Sequence, residues 1–306
     1  MRLGTYLCFA AVLMATVSGC RAKTENQSDS SRGTLPPVYP SSPLQNTHWD
    51  ADAGSILIVS RGAGGNTASV VLPEATDSTI ATFQGLTPPI AGLTFDLFAR
   101  GGRVKTTASA SPLAGVTARE GCYSWPLARV HGGAADWSVG LQSGHAIPVA
   151  LDSIEARSSS DSAALAASLA QTAAVLPLAS EPTFRGLPFR VRSAYTFHVD
   201  SMEVVIADVV RTVNEEANPR VEHLFIIGER PIGAAGKFSA DYYSRTAGAE
   251  DTVQATDILA VVQLGADKHP TVVVNVEYDD GGKLGLIERD VTGRWAATWT
   301  SAYTGC

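Results

Sequence analysis

From residue 48 onward the chain is a succession of short β-prone runs, each closed by a turn signal. That pattern restricts the fold more than any other feature. Ser55–Val59 and Ala68–Leu72 are two such runs, separated by Arg61-Gly62-Ala63-Gly64-Gly65-Asn66. Phe95–Phe98 alternates, turns at Gly101-Gly102 and continues as Arg103–Thr107. Two alternating runs around a Gly-Gly predict a hairpin, because glycine reaches the positive φ that tight hairpin turns need. Further strands are expected near Tyr123–Val130, Trp137–Leu141 and Ile147–Ile154. Residues 48–155 are therefore expected to form an all-β, antiparallel domain of sandwich or barrel type.

The pattern changes once. Ser158 to Leu176 places Leu165, Leu169 and Leu176 at helical spacing and holds no internal proline. Ser160 is the expected cap, Asp161 suits the positive helix start, and Pro177 stops the run. A helix over about 160–176 is expected to pack against a sheet. Strands resume at Phe189–Val199, Glu203–Val213, Glu222–Ile227 and Tyr242–Thr246. Ile258–Leu264, Thr271–Tyr278, Leu284–Arg289 and Trp295–Thr300 follow. Turns at Asn218-Pro219, Asp279-Asp280-Gly281-Gly282 and Thr292-Gly293 join neighbours, which predicts an antiparallel β-meander. Residues 156–306 are thus expected as an α+β domain, and the whole chain as mainly β with one clear helix. Trp125, Trp137, Trp295 and Trp299 are expected in the core. Trp295 and Trp299 have equal parity, so a regular strand would put them on one face.

The stretch Gln263–Trp299 resembles, at the level of a hairpin, a blade of the FG-GAP or VCBS type of β-propeller repeat. The shared elements are a loop, the strand Thr271-Val272-Val273-Val274, a glycine turn and the closing Gly293-Arg294-Trp295. In those families the loop is an Asp-rich calcium site. Here it reads Gly265-Ala266-Asp267-Lys268-His269-Pro270, with a single carboxylate and a lysine. No second copy recurs at a fixed spacing, so a whole propeller is not expected.

The N-terminus carries a different kind of information. Arg2 precedes the short uncharged run Leu7–Val17, which ends at Ser18-Gly19-Cys20. A basic start, an apolar stretch and small residues before a cut form a secretory signal, expected over residues 1–19. The run is too short to span a bilayer, which needs about 20 residues. Val17-Ser18-Gly19-Cys20 resembles the lipobox of bacterial lipoproteins, with valine in place of the more usual leucine. The resemblance implies cleavage before Cys20, a diacylglycerol on its thiol and a lipid bilayer as partner. Arg21 stands where an aspartate would signal inner-membrane retention, which points to the outer membrane. Residues 20–47 then read as the lipidated cysteine and a tether rich in Ser and Pro. About 27 flexible residues span roughly 28 Å.

Of the four cysteines, Cys8 would leave with the signal and Cys20 would carry lipid. Cys122 and Cys306 remain, and an exported chain meets oxidising conditions. A Cys122–Cys306 disulfide is the expected pairing, with free thiols or an intermolecular bond as alternatives. The whole chain has 23 Lys and Arg against 30 Asp and Glu, a net charge of −7. It carries no basic stripe for nucleic acid.

No motif for catalysis emerges. The glycines at 62–65 lie between strand-like runs, whereas a phosphate loop needs a helix behind it. Gly233-Ala234-Ala235-Gly236-Lys237 lacks the spacing of a nucleotide loop. His48-Trp49-Asp50-Ala51-Asp52 offers two carboxylates, too few for calcium alone. His131, His145, His198, His223 and His269 are scattered, without metal spacing. Ser143-Gly144-His145 sets a hydroxyl near an imidazole, with no nameable third member. Glu215-Glu216 and Asp279-Asp280 are adjacent acids, unlike the facing pair of a glycosidase. No metal, no cofactor and no catalytic residue is assigned. The expectation is a lipid-anchored, non-catalytic binding or accessory module of the cell envelope with an envelope protein as a further partner. A tethered hydrolase whose site assembles only in the fold is the alternative, and a calcium-stabilised carbohydrate or protein binder is a third reading.

Overall fold

The structure, a computed structural model, describes residues 57–62, 65–72, 90–113, 124–176, 181–213, 218–265 and 268–306. All of them fall within one compact unit. The expected signal, Cys20, the tether, the His48–Asp52 cluster, Cys122 and Glu215-Glu216 lie outside the described residues.

Six strands close the expected β domain into a barrel: β1 (Leu57–Ser60), β2 (Thr67–Val70), β3 (Thr94–Ala99), β4 (Gly102–Pro112), β5 (Leu127–His131) and β6 (Val139–Gln142). Their order is β1-β2-β5-β4-β3-β6, antiparallel throughout. The period of two explains the interior: Ala68 and Val70, Phe95 and Leu97, Ala108 and Ala110, Ala128 and Val130 all point into one core. Small alanines opposite large side chains fill a barrel too narrow for two large layers. Gly140 is part of this fit. A Cβ there would lie 2.6 Å from Ile58 Cγ1 and 2.9 Å from Leu97 Cδ2.

The remaining strands form two antiparallel sheets. Sheet I runs β12-β11-β10-β9-β8, from β8 (Asp152–Ser153), β9 (Arg190–Val199), β10 (Met202–Val213), β11 (Arg220–Pro231) and β12 (Ser239–Ala249). Sheet II runs β16-β15-β14-β13-β7, from β7 (Ala146–Pro148), β13 (Ala255–Leu264), β14 (His269–Tyr278), β15 (Gly281–Arg289) and β16 (Trp295–Thr300). A final strand, β17 (Thr304–Gly305), pairs with β15. Helix α1 (Ser159–Val175) lies on sheet I.

These parts stack in four layers. Leu165, Leu169 and Ala173 of α1 meet Val205, Ala207, Leu224 and Ile226 of sheet I. The other face of sheet I, with Val204, Ile206, Phe225 and Ile227, meets Ile258, Val261, Val272 and Ile287 of sheet II. Sheet II then turns Val262, Val273, Leu286 and Trp299 onto Leu57, Phe98, Val139 and Leu141 of the barrel. Both sheets are covered on both faces. Hence both parities of β10 are buried, Val204 to Ala207 in succession, and no alternation remains.

Local expectations are corrected in four places. The helix cap is Ser158, not Ser160. Ser158 has extended backbone, and its Oγ accepts from Asp161 N at 3.3 Å, whereas Ser160 already lies in the first turn. The single strand expected over Ile147–Ile154 is two. β7 pairs with β13 and β8 with β9, so the chain passes from sheet II to sheet I between them. The backbone pairing of β7 with β13 also crosses the expected domain boundary at 155/156. The strand expected from Tyr123 begins only at Leu127.

The fourth correction concerns the tryptophans. Trp295 packs between the sheets, and Trp299 packs toward the barrel, so they occupy opposite faces. The register shifts between Leu286 and Ile287, pairing Leu286 with Trp299 and Ile287 with Ala297. Thr298 is the extra residue, and a one-residue bulge inverts the parity beyond it.

Candidate functional site

The seam between the barrel and sheet II opens into a cleft of about 700 Å³. One wall comes from segments adjoining barrel strands: Ser60-Arg61 at the end of β1, Ser124-Trp125 before β5 and Trp137-Ser138 before β6. The other comes from Asn275, Glu277 and Tyr278 of β14, Asp280 in its turn, and Thr304–Cys306.

The Asp279-Asp280-Gly281-Gly282 turn holds this second wall together. A Cβ on Gly281 would sit 2.0 Å from Thr304 O and 2.6 Å from Tyr303 Oη, so glycine is what lets the last residues return and pair. Cys306 N donates to Asp280 O at 3.1 Å. The Tyr303 hydroxyl donates to Asp280 Oδ1. That carboxylate, by accepting the phenol proton, raises the Tyr303 pKa to about 12. The Tyr303 ring stands edge-on to Tyr278, centroids 5.8 Å apart. Beside them Asn275 Nδ2 donates to Glu277 Oε1 at 3.1 Å.

The barrel wall is poorer in internal bonds. Trp137 Nε1 donates to Gly65 O at 3.3 Å. Gly65 has φ +62°, and a Cβ there would meet Ala134 O at 2.2 Å, so glycine is required beneath the indole. Trp125 is 6 % exposed, and its buried Nε1–H has no partner among the described residues. Trp299, in the same core cluster, also has an unpartnered Nε1. Arg61 is exposed and makes no side-chain bond or ion pair among the described residues. An unpartnered buried donor costs about 1–3 kcal/mol. The cleft therefore offers the Arg61 guanidinium on one wall, carboxylates on the other and aromatic residues on both.

The residues flagged in the sequence do not converge. His131 Nε2 lies 3.0 Å from Ser111 Oγ, an exposed pair across β4 and β5. Ser143 does not meet His145: its hydroxyl donates to Asp96 Oδ1 at 3.2 Å, beside Arg103. His198 is exposed on β9, and His269 opens β14. Gly62 and Gly65 bracket the β1–β2 turn, and Gly236 O, in the β11–β12 turn, accepts from Ser168 Oγ. Among the described residues no group of three or more His, Cys, Asp or Glu is placed to hold a metal ion.

Buried charges were not anticipated from sequence. Asp208, 1 % exposed, accepts from Arg192 and from His223 Nδ1, each at 2.9 Å. Arg192 reaches it because the β9–β10 register shifts at Asp208/Val209, and it also bonds Asp257 of sheet II at 3.2 Å. Glu222 binds Arg211 and Arg245, and Glu229 binds Arg289 and Trp295 Nε1. These pairs tie strands together. His223 makes no further hydrogen bond among the described residues, so Asp208 and His223 serve no nucleophile.

A second groove, of about 650 Å³, runs beside α1 between Ala163, Ala166, Ala167 and Ala170 and the half-buried Phe189 and Val191. Its walls are mainly small and apolar and hold no aromatic ring but Phe189, with Glu155, Ser162, Arg190 and Arg192 as the polar members. Binding sites combine apolar walls with a few convergent polar groups. The seam cleft meets that description better.

No family model, curated protein or solved structure matches this chain. Its reading rests on its own residues. Among the described residues no helix is long and apolar enough to cross a membrane.

Proposed function

We propose that this chain is a bacterial envelope lipoprotein, held at the outer membrane by lipid on Cys20, whose folded body is a non-catalytic binding module with the seam cleft as its ligand site. The anchor reading is supported by the Arg2 start, the apolar run to Val17 and Val17-Ser18-Gly19-Cys20. Two or more acyl chains give stable attachment, at roughly 0.8 kcal/mol per buried methylene. The binding reading is carried by one observation. The cleft sets Arg61, which makes no side-chain bond or ion pair among the described residues, opposite Glu277 and Asp280, with aromatic residues on both walls. Replacing Cys20 by serine is expected to move the protein from the membrane pellet to the soluble fraction. Retention in the pellet refutes the anchor.

A Cys122–Cys306 disulfide belongs to this proposal. Ser124 and Trp125 share the cleft with Cys306. Mass spectrometry of the unreduced protein is expected to find the linked peptides, and two alkylatable thiols refute it.

A tethered hydrolase is the second reading, favoured by the exposed Ser111–His131 pair. Among the described residues no carboxylate orients that imidazole. A fluorophosphonate probe that labels Ser111 would favour this reading over the first.

A further inference from the structure

We propose that the ligand of the seam cleft is a neutral carbohydrate. This deepens the binding reading above and rests on it. Three observations select the ligand class. First, the walls carry opposite requirements. Glu277 and Asp280 accept hydrogen bonds and repel anions, whereas the Arg61 guanidinium donates and repels cations. A hydroxyl group both donates and accepts, so one neutral polyol satisfies both walls. A carboxylate or phosphate ligand would face two like charges, and an amine would face Arg61.

Second, Trp125 lines the barrel wall of the cleft and adds aromatic surface on the side away from Tyr278. Third, Tyr278 is half-buried, braced edge-on by Tyr303, and lines the cleft beside Glu277 and Asp280. A sugar ring needs such a pair: an aromatic surface for its C–H face and carboxylates at its rim for the hydroxyls. Asn275 steadies Glu277 at 3.1 Å, and Tyr303 steadies Asp280, so both acceptors are held before a ligand enters. The volume, about 700 Å³, falls among small-molecule sites of about 300–1,000 Å³.

The test uses the purified full chain in detergent. The probes are maltotriose and the N-acetylglucosamine trimer, then a wider array of neutral oligosaccharides, with uronic acid and glucosamine trimers as charged comparators. Tryptophan fluorescence and calorimetry read binding. A neutral oligosaccharide is expected to bind saturably, at least tenfold tighter than its charged comparators. Tyr278→Ala and Glu277→Gln are each expected to weaken binding by about tenfold or more. Both residues have solvent-facing surface, so circular dichroism should remain that of the parent. The proposal is overturned if no neutral oligosaccharide binds, if a charged comparator binds tighter, or if both variants bind as the parent does. Hydrolysis of a bound oligosaccharide would sink the non-catalytic reading and leave the ligand class standing. A chain that binds no sugar yet leaves the membrane on Cys20→Ser loses the ligand class and keeps its anchor.

Discussion

Gly140 offers the sharpest test of the barrel's packing. Alanine there would place a methyl 2.6 Å from Ile58 Cγ1, 2.9 Å from Leu97 Cδ2 and 3.0 Å from Ile58 Cδ1. Two effects compete. Removing a glycine lowers the entropy of the unfolded chain, worth about 0.4–1 kcal/mol of stabilisation. Forcing a methyl into a filled core costs about 1–3 kcal/mol. Ile58 and Leu97 are both fully buried and have little room to retreat, so overpacking wins by about 0.5–2 kcal/mol. The mechanism is checked by a double-mutant cycle. Ile58→Ala alone should cost about 2–5 kcal/mol, because it removes the side chain from the barrel core. In that background Gly140→Ala should cost less than in the parent, with a coupling of about 0.5–3 kcal/mol. Urea unfolding of all four proteins measures it. Strict additivity, or a parent stabilised by Gly140→Ala, refutes the packing argument.

Two further predictions concern charge. Glu229→Ala leaves Arg289 and Trp295 Nε1 without their buried acceptor, and should cost about 3–5 kcal/mol in urea unfolding. Arg294→Ala, which breaks an exposed pair with Asp290, should stay within about 1 kcal/mol, and equal losses would refute this ranking. Asp290 is held at about 2, below its ordinary 3.8, by the Thr292 hydroxyl and by the Arg294 and Thr292 backbone N–H groups. A depressed carboxylate stabilises the fold above its unfolded pKa and loses that contribution as pH falls through about 2. NMR titration should find Asp290 near 2, and Asp290→Asn should remove this part of the acid sensitivity between about 4 and 2. An ordinary titration near 3.8 refutes the turn's bonding.

Much of the fold was legible because its periods are simple. Phe95 and Leu97 lie two residues apart and share the barrel core, and Leu165 and Leu169 stand one helical turn apart. What stayed hidden were the places where a strand breaks its own period. Thr298 separates Trp295 from Trp299 by a bulge, and the bulge has no signature in Trp-Ala-Ala-Thr-Trp-Thr. The Arg192 bulge is equally silent, although it carries the guanidinium to Asp208 and Asp257. The switch from β7 to β8 was unreadable for another reason. Which sheet a short strand joins depends on partners more than a hundred residues away in sequence for β7 and about forty for β8.

The cleft was half legible. Asp279-Asp280-Gly281-Gly282 announces a turn, and its glycines hint that something approaches closely. Nothing in those four residues says that the approaching group is Tyr303, whose hydroxyl takes Asp280 and whose ring braces Tyr278. The barrel wall was read the other way round. Trp125 is as buried as its composition implies, so it was expected to be core and nothing more. Burial and function are not alternatives for an indole, because its ring can complete a core while its one donor remains to be satisfied. The cleft is a property of the folded seam. It exists only where the segment before β5 meets β14 and the last residues of the chain, which is why no local motif announces it.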